Sequence, residues 1–249
     1  MAPENRSPRS PSPDAATLGE PSYVWRSGQE RRLDLIRRYV PLEGAFILDV
    51  GCGIGTFVRR FRELTPHAFG FDVSAERVAE GSKTVPGLFC AVGEALPIAD
   101  GTFDVVLLNE VIEHVRDDRE TLRECLRVLR PGGHVVIYAP NRLYPFETHG
   151  VFVRGAYRFG NVPLVNYLPG RLRDRLVPHA RAYTAADVRR LVAGLPAEVV
   201  VHGYVYPGFD NVAARRPVAA RALRGLLYRA ERSPAARFGL SHFVVLRRR

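Results

Sequence analysis

The chain has 249 residues, 46% hydrophobic and 10% aromatic, which is ordinary for a globular domain and enough to bury one full core. It has no run of about 18 apolar residues, and its opening MAPENRSPRSPSPD lacks the apolar stretch of a signal peptide, so the expectation is a cytoplasmic protein without a membrane span. The net charge of +10 sits in the C-terminal third: residues 1–170 hold 20 Lys plus Arg against 21 Asp plus Glu, whereas residues 171–249 hold 16 against 5.

Residues 1–20, rich in Pro, Ser and Arg, offer little to bury and are expected to form a disordered tail ahead of one domain over 21–249. From Ser22 a helix is predicted, with Leu33, Ile36 and Val40 at helical spacing and Pro41 ending it. Phe46 to Phe57, FILDVGCGIGTF, then reads as a buried strand, a glycine turn at Gly51, Gly53 and Gly55, and a helix start at Thr56. Such a turn brings a ligand close to the backbone and to unpaired N–H groups. Dinucleotide turns use G-x-G-x-x-G, but here the glycines alternate behind an acid, Asp49. The three cysteines, Cys52, Cys90 and Cys125, have no metal-ligand or redox spacing.

LDVGCGIG resembles the first motif of the class I S-adenosylmethionine (SAM) dependent methyltransferases. That resemblance implies an α/β fold: a Rossmann-like, doubly wound, seven-stranded, mostly parallel sheet with an antiparallel last strand. It also implies SAM as cofactor and cofactor-binding roles for Asp49, Gly51, Gly53 and Gly55. The chain is further similar to ubiquinone-biosynthesis O-methyltransferases, where an arginine one helix before the glycine turn binds SAM; Arg31 takes that place, beside Arg32.

A helix over Thr56–Leu64 and a second strand over Ala68–Val73 follow. Asp72 ends that strand, where an acid can accept from both ribose hydroxyls over the strand ends. Ser74 caps a third helix, and Leu88–Val92 is a third strand. GEALPIADGTFDVV resembles the family's adenine-binding loop and fourth strand, with one departure. Val92 stands where the family places the aspartate that meets the adenine amino group, leaving Gly93 and Glu94 to contact the base. Phe103–Leu108 is a nearly continuous apolar run, as in a strand buried on both faces, and puts Asn109 at its carboxyl end beside the cofactor. A helix over Asp117–Leu129 and the strand HVVIYAP complete five strands alternating with helices.

Residues 141–183 form a long, aromatic and basic insertion, of the length that usually serves as a lid or substrate wall. Thr184 caps another helix, a sixth strand covers about 198–206, a basic helix runs from about 218 to 232, and HFVVLRRR is the final strand, paired antiparallel with the sixth.

Methyl transfer from a sulfonium needs a nucleophile held in line and relieved of its proton. If Asn109–His114 is helical, Glu110, Glu113 and His114 share one face. This E-x-x-E-H resembles the magnesium site of ubiquinone-biosynthesis O-methyltransferases and of small-RNA 2′-O-methyltransferases. Three readings stand: a magnesium or manganese site on Glu110, Glu113 and His114, a metal-free acid/base group, or packing against the sheet. In the insertion, His179 resembles the further histidine of those families, and His149 and Glu147 are additional possible bases.

The expected function is methyl transfer from SAM to an oxygen of a small-molecule, lipid or glycan acceptor. The arginine-rich third and the aromatic insertion suit an acceptor at an anionic membrane surface. An RNA 2′-O-methyltransferase and a non-catalytic SAM-binding protein are the alternatives. Nucleic acid is the weaker partner, and no obligate protein partner is evident.

Overall fold

Nearly continuous apolar runs, buried on both faces, explain the centre of the sheet. In the computed structural model, which describes residues 25–249, the elements up to the insertion are α1 (Ser27–Arg37), β1 (Ile47–Val50), α2 (Thr56–Phe61), β2 (Ala68–Asp72), α3 (Ala75–Ser82), β3 (Leu88–Cys90), β4 (Phe103–Asn109), α4 (Asp118–Val128) and β5 (Leu129–Pro140). The expected tail, 1–20, and the first residues of the predicted N-terminal helix lie outside the described residues. Residues 141–183 carry the short strands β6 (Phe146–Glu147), β7 (Val151–Val153), β8 (Ala156–Arg158) and β9 (Val162–Pro163) and the helix α5 (Gly170–Leu176). The chain continues through α6 (Ala185–Val192), β10 (Ala197–Val205), α7 (Asp210–Arg215), α8 (Pro217–Ala230) and β11 (Ser241–Arg248).

Seven strands pair in the order β10-β11-β5-β4-β1-β2-β3. All run the same way except β11, which is antiparallel to both β5 and β10. Leu48, Val106, Leu108, Val135 and Ile137 point to the face covered by α4 and α6, while Ile47, Val105, Leu107 and Val136 point to the face covered by α1 and α2. Both faces of the parallel strands are therefore buried, which is why their sequences are apolar rather than alternating.

The element ends follow local chemistry. Ser74, Asp117 and Thr184 each accept a hydrogen bond from the third residue of the helix they precede, and Thr184 and Asp187 form a reciprocal capping box. The third strand stops at Cys90, short of the predicted Val92, because Val92 is drawn into an isolated bridge with Ala95. The insertion is not structureless: β6 pairs with β9, β7 with β8, and Val151, Val165, Val177 and Ala180 form a small core of their own.

The carboxyl ends of β4, β5 and β10 and the amino end of β11 share one edge of the sheet. Two long segments leave from that edge: residues 141–183 after β5, and the stretch holding α7 and α8 between β10 and β11. Asn141, 1% exposed, ties their roots together. Its side-chain amide donates to the carbonyls of Arg237 (2.8 Å) and Gly239 (2.7 Å), and its carbonyl oxygen accepts from the Leu143 N–H.

Replacing Asn141 by Ala strands these backbone groups in a dry site. The expected loss is about 2 kcal/mol of unfolding free energy, read as a lower urea midpoint at unchanged slope.

Candidate active site

The glycine turn opens at the end of β1. Gly51, Gly53 and Gly55 all have positive φ (66°, 56° and 82°). At Gly51 the absence of a side chain is also a packing requirement, because a Cβ would lie 2.5 Å from a methyl of Val111 in the turn after β4. Asp72, at the end of β2, accepts from the N–H of Gly53 (2.9 Å) through one oxygen and from the N–H of Ser74 (2.9 Å) through the other. These bonds fix the carboxylate beside the turn. Asp49 is buried on β1, and burial first, then the Asp72 charge, pushes its carboxyl well above the usual range.

Glu94 accepts from the N–H groups of Arg116 (2.8 Å) and Asp117 (3.1 Å), locking the loop after β3 onto the start of α4. Gly93 packs against Thr121, and Val92 is half exposed. Asn109 accepts from Arg32 (2.5 Å), whose guanidinium also lies over the Tyr138 ring. Arg31 turns the other way, pairing with Glu231 and stacking on Tyr228 of α8. Of the two adjacent arginines, Arg32 is thus the one joined to the end of β4. An open cavity of about 290 Å³ adjoins both, walled by Arg26, Gln29, Tyr206 and Asp210.

The segment from Glu110 to His114 is a turn, so the conditional i, i+3, i+4 face does not form. Glu110 adopts φ 56°, and its N–H donates to the Tyr138 carbonyl. Its carboxylate goes to Arg32 (2.6 Å) and Ser241 (2.6 Å). Burial opposes its charge, but the Arg32 guanidinium and the Ser241 hydroxyl hold Glu110 below the usual carboxylate range. Glu113 instead points inward, 2% exposed, with neither carboxylate oxygen hydrogen-bonded. Burial pushes its carboxyl upward.

Two histidines meet Glu113. His114 lies 3.8 Å and His149 3.5 Å from the same oxygen. His149 donates through Nδ1 to Glu147 (3.0 Å), and Glu147 accepts from the buried Arg173 guanidinium (2.7 Å). A line of alternating charge results: Arg173, Glu147, His149, Glu113. Burial works against the His149 charge, but the two flanking carboxylates outweigh it and lift the imidazole to about 10. Glu147 is correspondingly held at about 2, its burial outweighed by His149 and Arg173.

His114 behaves oppositely. Burial lowers its pKa, and its Nδ1–H donates to the His179 carbonyl (3.0 Å), which leaves Nε2 as a lone pair facing Glu113. The His179 imidazole does not join this group. It donates to the His149 carbonyl (2.8 Å) and packs edge-on against Phe152 and Tyr157. Its contribution at this point is its backbone, which orients His114.

Glu113, His114 and His149 bring ligand atoms within 4.8 Å of one another and form the set that could hold a divalent cation. An orphaned buried carboxylate fits such an ion, and this set takes His149 in place of Glu110. His149 was visible in the sequence only as a loop histidine two residues after an acid, and Arg173 had no signal, being one arginine among many.

The profile of the family described as "Methyltransferase domain" matches residues 48–137. A probable S-adenosylmethionine-dependent methyltransferase of Mycolicibacterium smegmatis is 34% identical over 202 residues, 80% of this chain and 69% of that one. A ubiquinone biosynthesis O-methyltransferase of Parvibaculum lavamentivorans is 36% identical over 130 residues, 49% of this chain and 51% of its own. The match thus spans about half the length of that relative. In fold, the chain is similar to the crystal structure of an S-adenosylmethionine-dependent methyltransferase from Mesorhizobium loti, with a TM-score of 0.60 at 20% identity over 86% of this chain and 96% of that one.

The charge line has a pH signature. His149 is raised from 6.5 to about 10, so its stabilising effect is complete below 6.5 and is lost as pH rises through about 10. Glu147 is lowered from 4.5 to about 2, so its effect is present above 4.5 and is lost as pH falls through about 2. In chelator-treated protein at pH 8, nitrogen NMR is expected to show His149 as imidazolium and His114 as neutral imidazole. The change Glu147→Gln is expected to lower the His149 midpoint.

Proposed function

The chain belongs to the class I S-adenosylmethionine-dependent methyltransferases, and from that premise we propose that it moves a methyl group from SAM to an oxygen of a small-molecule, lipid or glycan acceptor, with His114 as the base. The observation that carries this reading is the His114 ring, whose tautomer is set by the His179 carbonyl so that Nε2 is free to take a proton at the edge of the sheet.

The residues fit the cofactor. Asp72 retains acceptor capacity beside the glycine turn for a ribose diol, and Arg32, with Asn109, can meet the amino-acid end. SAM supplies an electrophilic methyl on a good leaving group. What remains for the chain is orientation and proton removal. In that transfer His114 Nε2 would take the proton of the acceptor hydroxyl. Glu113, 3.8 Å away, favours the imidazolium that results. The burial that keeps His114 neutral beforehand is what makes it available as a base near neutral pH.

A second reading is favoured by the two unpartnered oxygens of Glu113. A magnesium or manganese ion on Glu113, His114 and His149 would orient and acidify the acceptor hydroxyl, and would displace the proton that His149 otherwise holds.

Calorimetric titration with SAM and its demethylated product tests the premise both readings share. Micromolar binding that Asp72→Ala abolishes is the expected result, and absence of binding to well-folded wild-type protein would sink the assignment. Once an acceptor is found, His114→Ala is expected to lower kcat by about 10²–10⁴-fold with SAM affinity retained. Saturable manganese binding that Glu113→Gln removes would select the cation reading over the metal-free one.

A further inference from the structure

We propose that the sheet edge carrying the site is a docking face for an anionic lipid bilayer, and that the acceptor is the polar end of an amphipathic molecule held in that bilayer. Only the second half rests on the methyltransferase reading.

The two segments that leave this edge both expose aliphatic or aromatic side chains that nothing among the described residues covers. In residues 141–183, Phe159 is 70% and Leu164 61% exposed, and on α8 Val218 is 70% and Leu226 68% exposed. Scattered single exposures would need no explanation, but around Leu164 the fold groups them. Phe146 lies opposite Pro163 in the β6–β9 pair, Leu164 follows directly, its N–H bonded to the Pro145 carbonyl, and the Tyr167 N–H bonds to the Leu164 carbonyl. Four of these residues, Phe146, Pro163, Leu164 and Tyr167, are exposed. Leu164 sits at φ 63°, a left-handed conformation that leucine rarely takes, immediately before the buried Val165 and Asn166.

The rim is basic. Residues 141–183 contain seven arginines against two acids, Glu147 and Asp174, and Glu147 is buried against Arg173. Arg154, Arg158, Arg171 and Arg175 are exposed in the same segment as the patch, and Arg216 and Arg221 are exposed close in sequence to Val218. Asn141 binds the roots of both segments, so both are rooted at the sheet edge that carries His114 and Glu113.

This pairing of chemistries selects the occupant. Protruding Leu and Val with an arginine rim match the interface of an anionic bilayer, where the aliphatic groups leave water and the guanidinium groups meet phosphate. Nucleic acid would satisfy the arginines and leave the aliphatic groups in water. A two-fold contact with a second copy would bring arginine rim against arginine rim.

The test is co-sedimentation of the full chain with phosphatidylglycerol-containing vesicles and with phosphatidylcholine vesicles across a salt series. Its comparison is the double variant Phe159→Ser, Leu164→Asn, in which asparagine accepts the left-handed backbone. Wild type is expected to bind the anionic vesicles, weakly or not at all the neutral ones, and the double variant to lose at least about tenfold in partition, the scale set by withdrawing two apolar side chains from the interface. Three results overturn the proposal: no binding of wild type at low salt, equal binding by the variant, or a wild-type dimer in light scattering that the variant disperses. SAM titration of the same samples separates the two claims. SAM binding without vesicle binding removes the docking face and leaves the methyltransferase reading. Vesicle binding without SAM binding removes the acceptor and leaves the docking face.

Discussion

A guanidinium group out of contact with water has to be neutralised where it lies, and the site depends on how Arg173 meets that requirement. At 1% exposure, Arg173 donates to Glu147, to the Asn166 side chain and to the Ala180 carbonyl. An isolated buried charge costs several kcal/mol, of the order that would unfold a local element. All of its partners come from residues 141–183, so this stretch is organised around an ion as much as around its small apolar core. Glu147, fixed in this way, then fixes the position and charge of His149. A residue with no access to the acceptor thereby decides what stands beside Glu113.

The site is consequently built in two parts. The sheet supplies the glycine turn, Asp72, Asn109 and the turn bearing Glu113 and His114. The segment after β5 supplies Glu147, His149 and the carbonyl of His179. Further bonds join the parts, among them the Arg181 N–H to the Glu113 carbonyl, the Arg181 side chain to the Val115 carbonyl and the Tyr183 hydroxyl to the Ile112 carbonyl. Displacement at a methyl group asks chiefly for alignment and a proton acceptor, and rigid joints of this kind are how a chain holds both.

The sheet was legible in the sequence because the central strands β1, β4 and β5 are buried on both faces and read as largely apolar runs, and because Ser74, Asp117 and Thr184 announce their helices. The seven-stranded, mostly parallel arrangement with an antiparallel last strand was expected and is observed. The four short strands of the insertion were not legible, since two or three residues are too few to show a period of two. Glu110 was misleading for a different reason. E-x-x-E-H has helical spacing, yet Arg32 and Ser241, 78 and 131 residues away, capture the Glu110 carboxylate and hold its backbone in a left-handed turn. Interactions at that separation leave no local trace. The same holds for the choice between Arg31 and Arg32, which differ only in whether α8 or the end of β4 lies opposite.

The position of β11 has a bearing on how the molecule is made. This strand lies between β5 and β10 although it follows both in the chain. During synthesis, β5 and β10 therefore emerge with unpaired edges, and neither can acquire its neighbour until residues 241–248 are available. An open edge of buried-type strand is a template for pairing with other chains. Ser241, at the head of β11, also delivers the hydroxyl that holds Glu110. Closure of the sheet and completion of the turn beneath His114 are thus one late event, and a nascent chain that stops short of it has neither a sealed sheet nor the finished site.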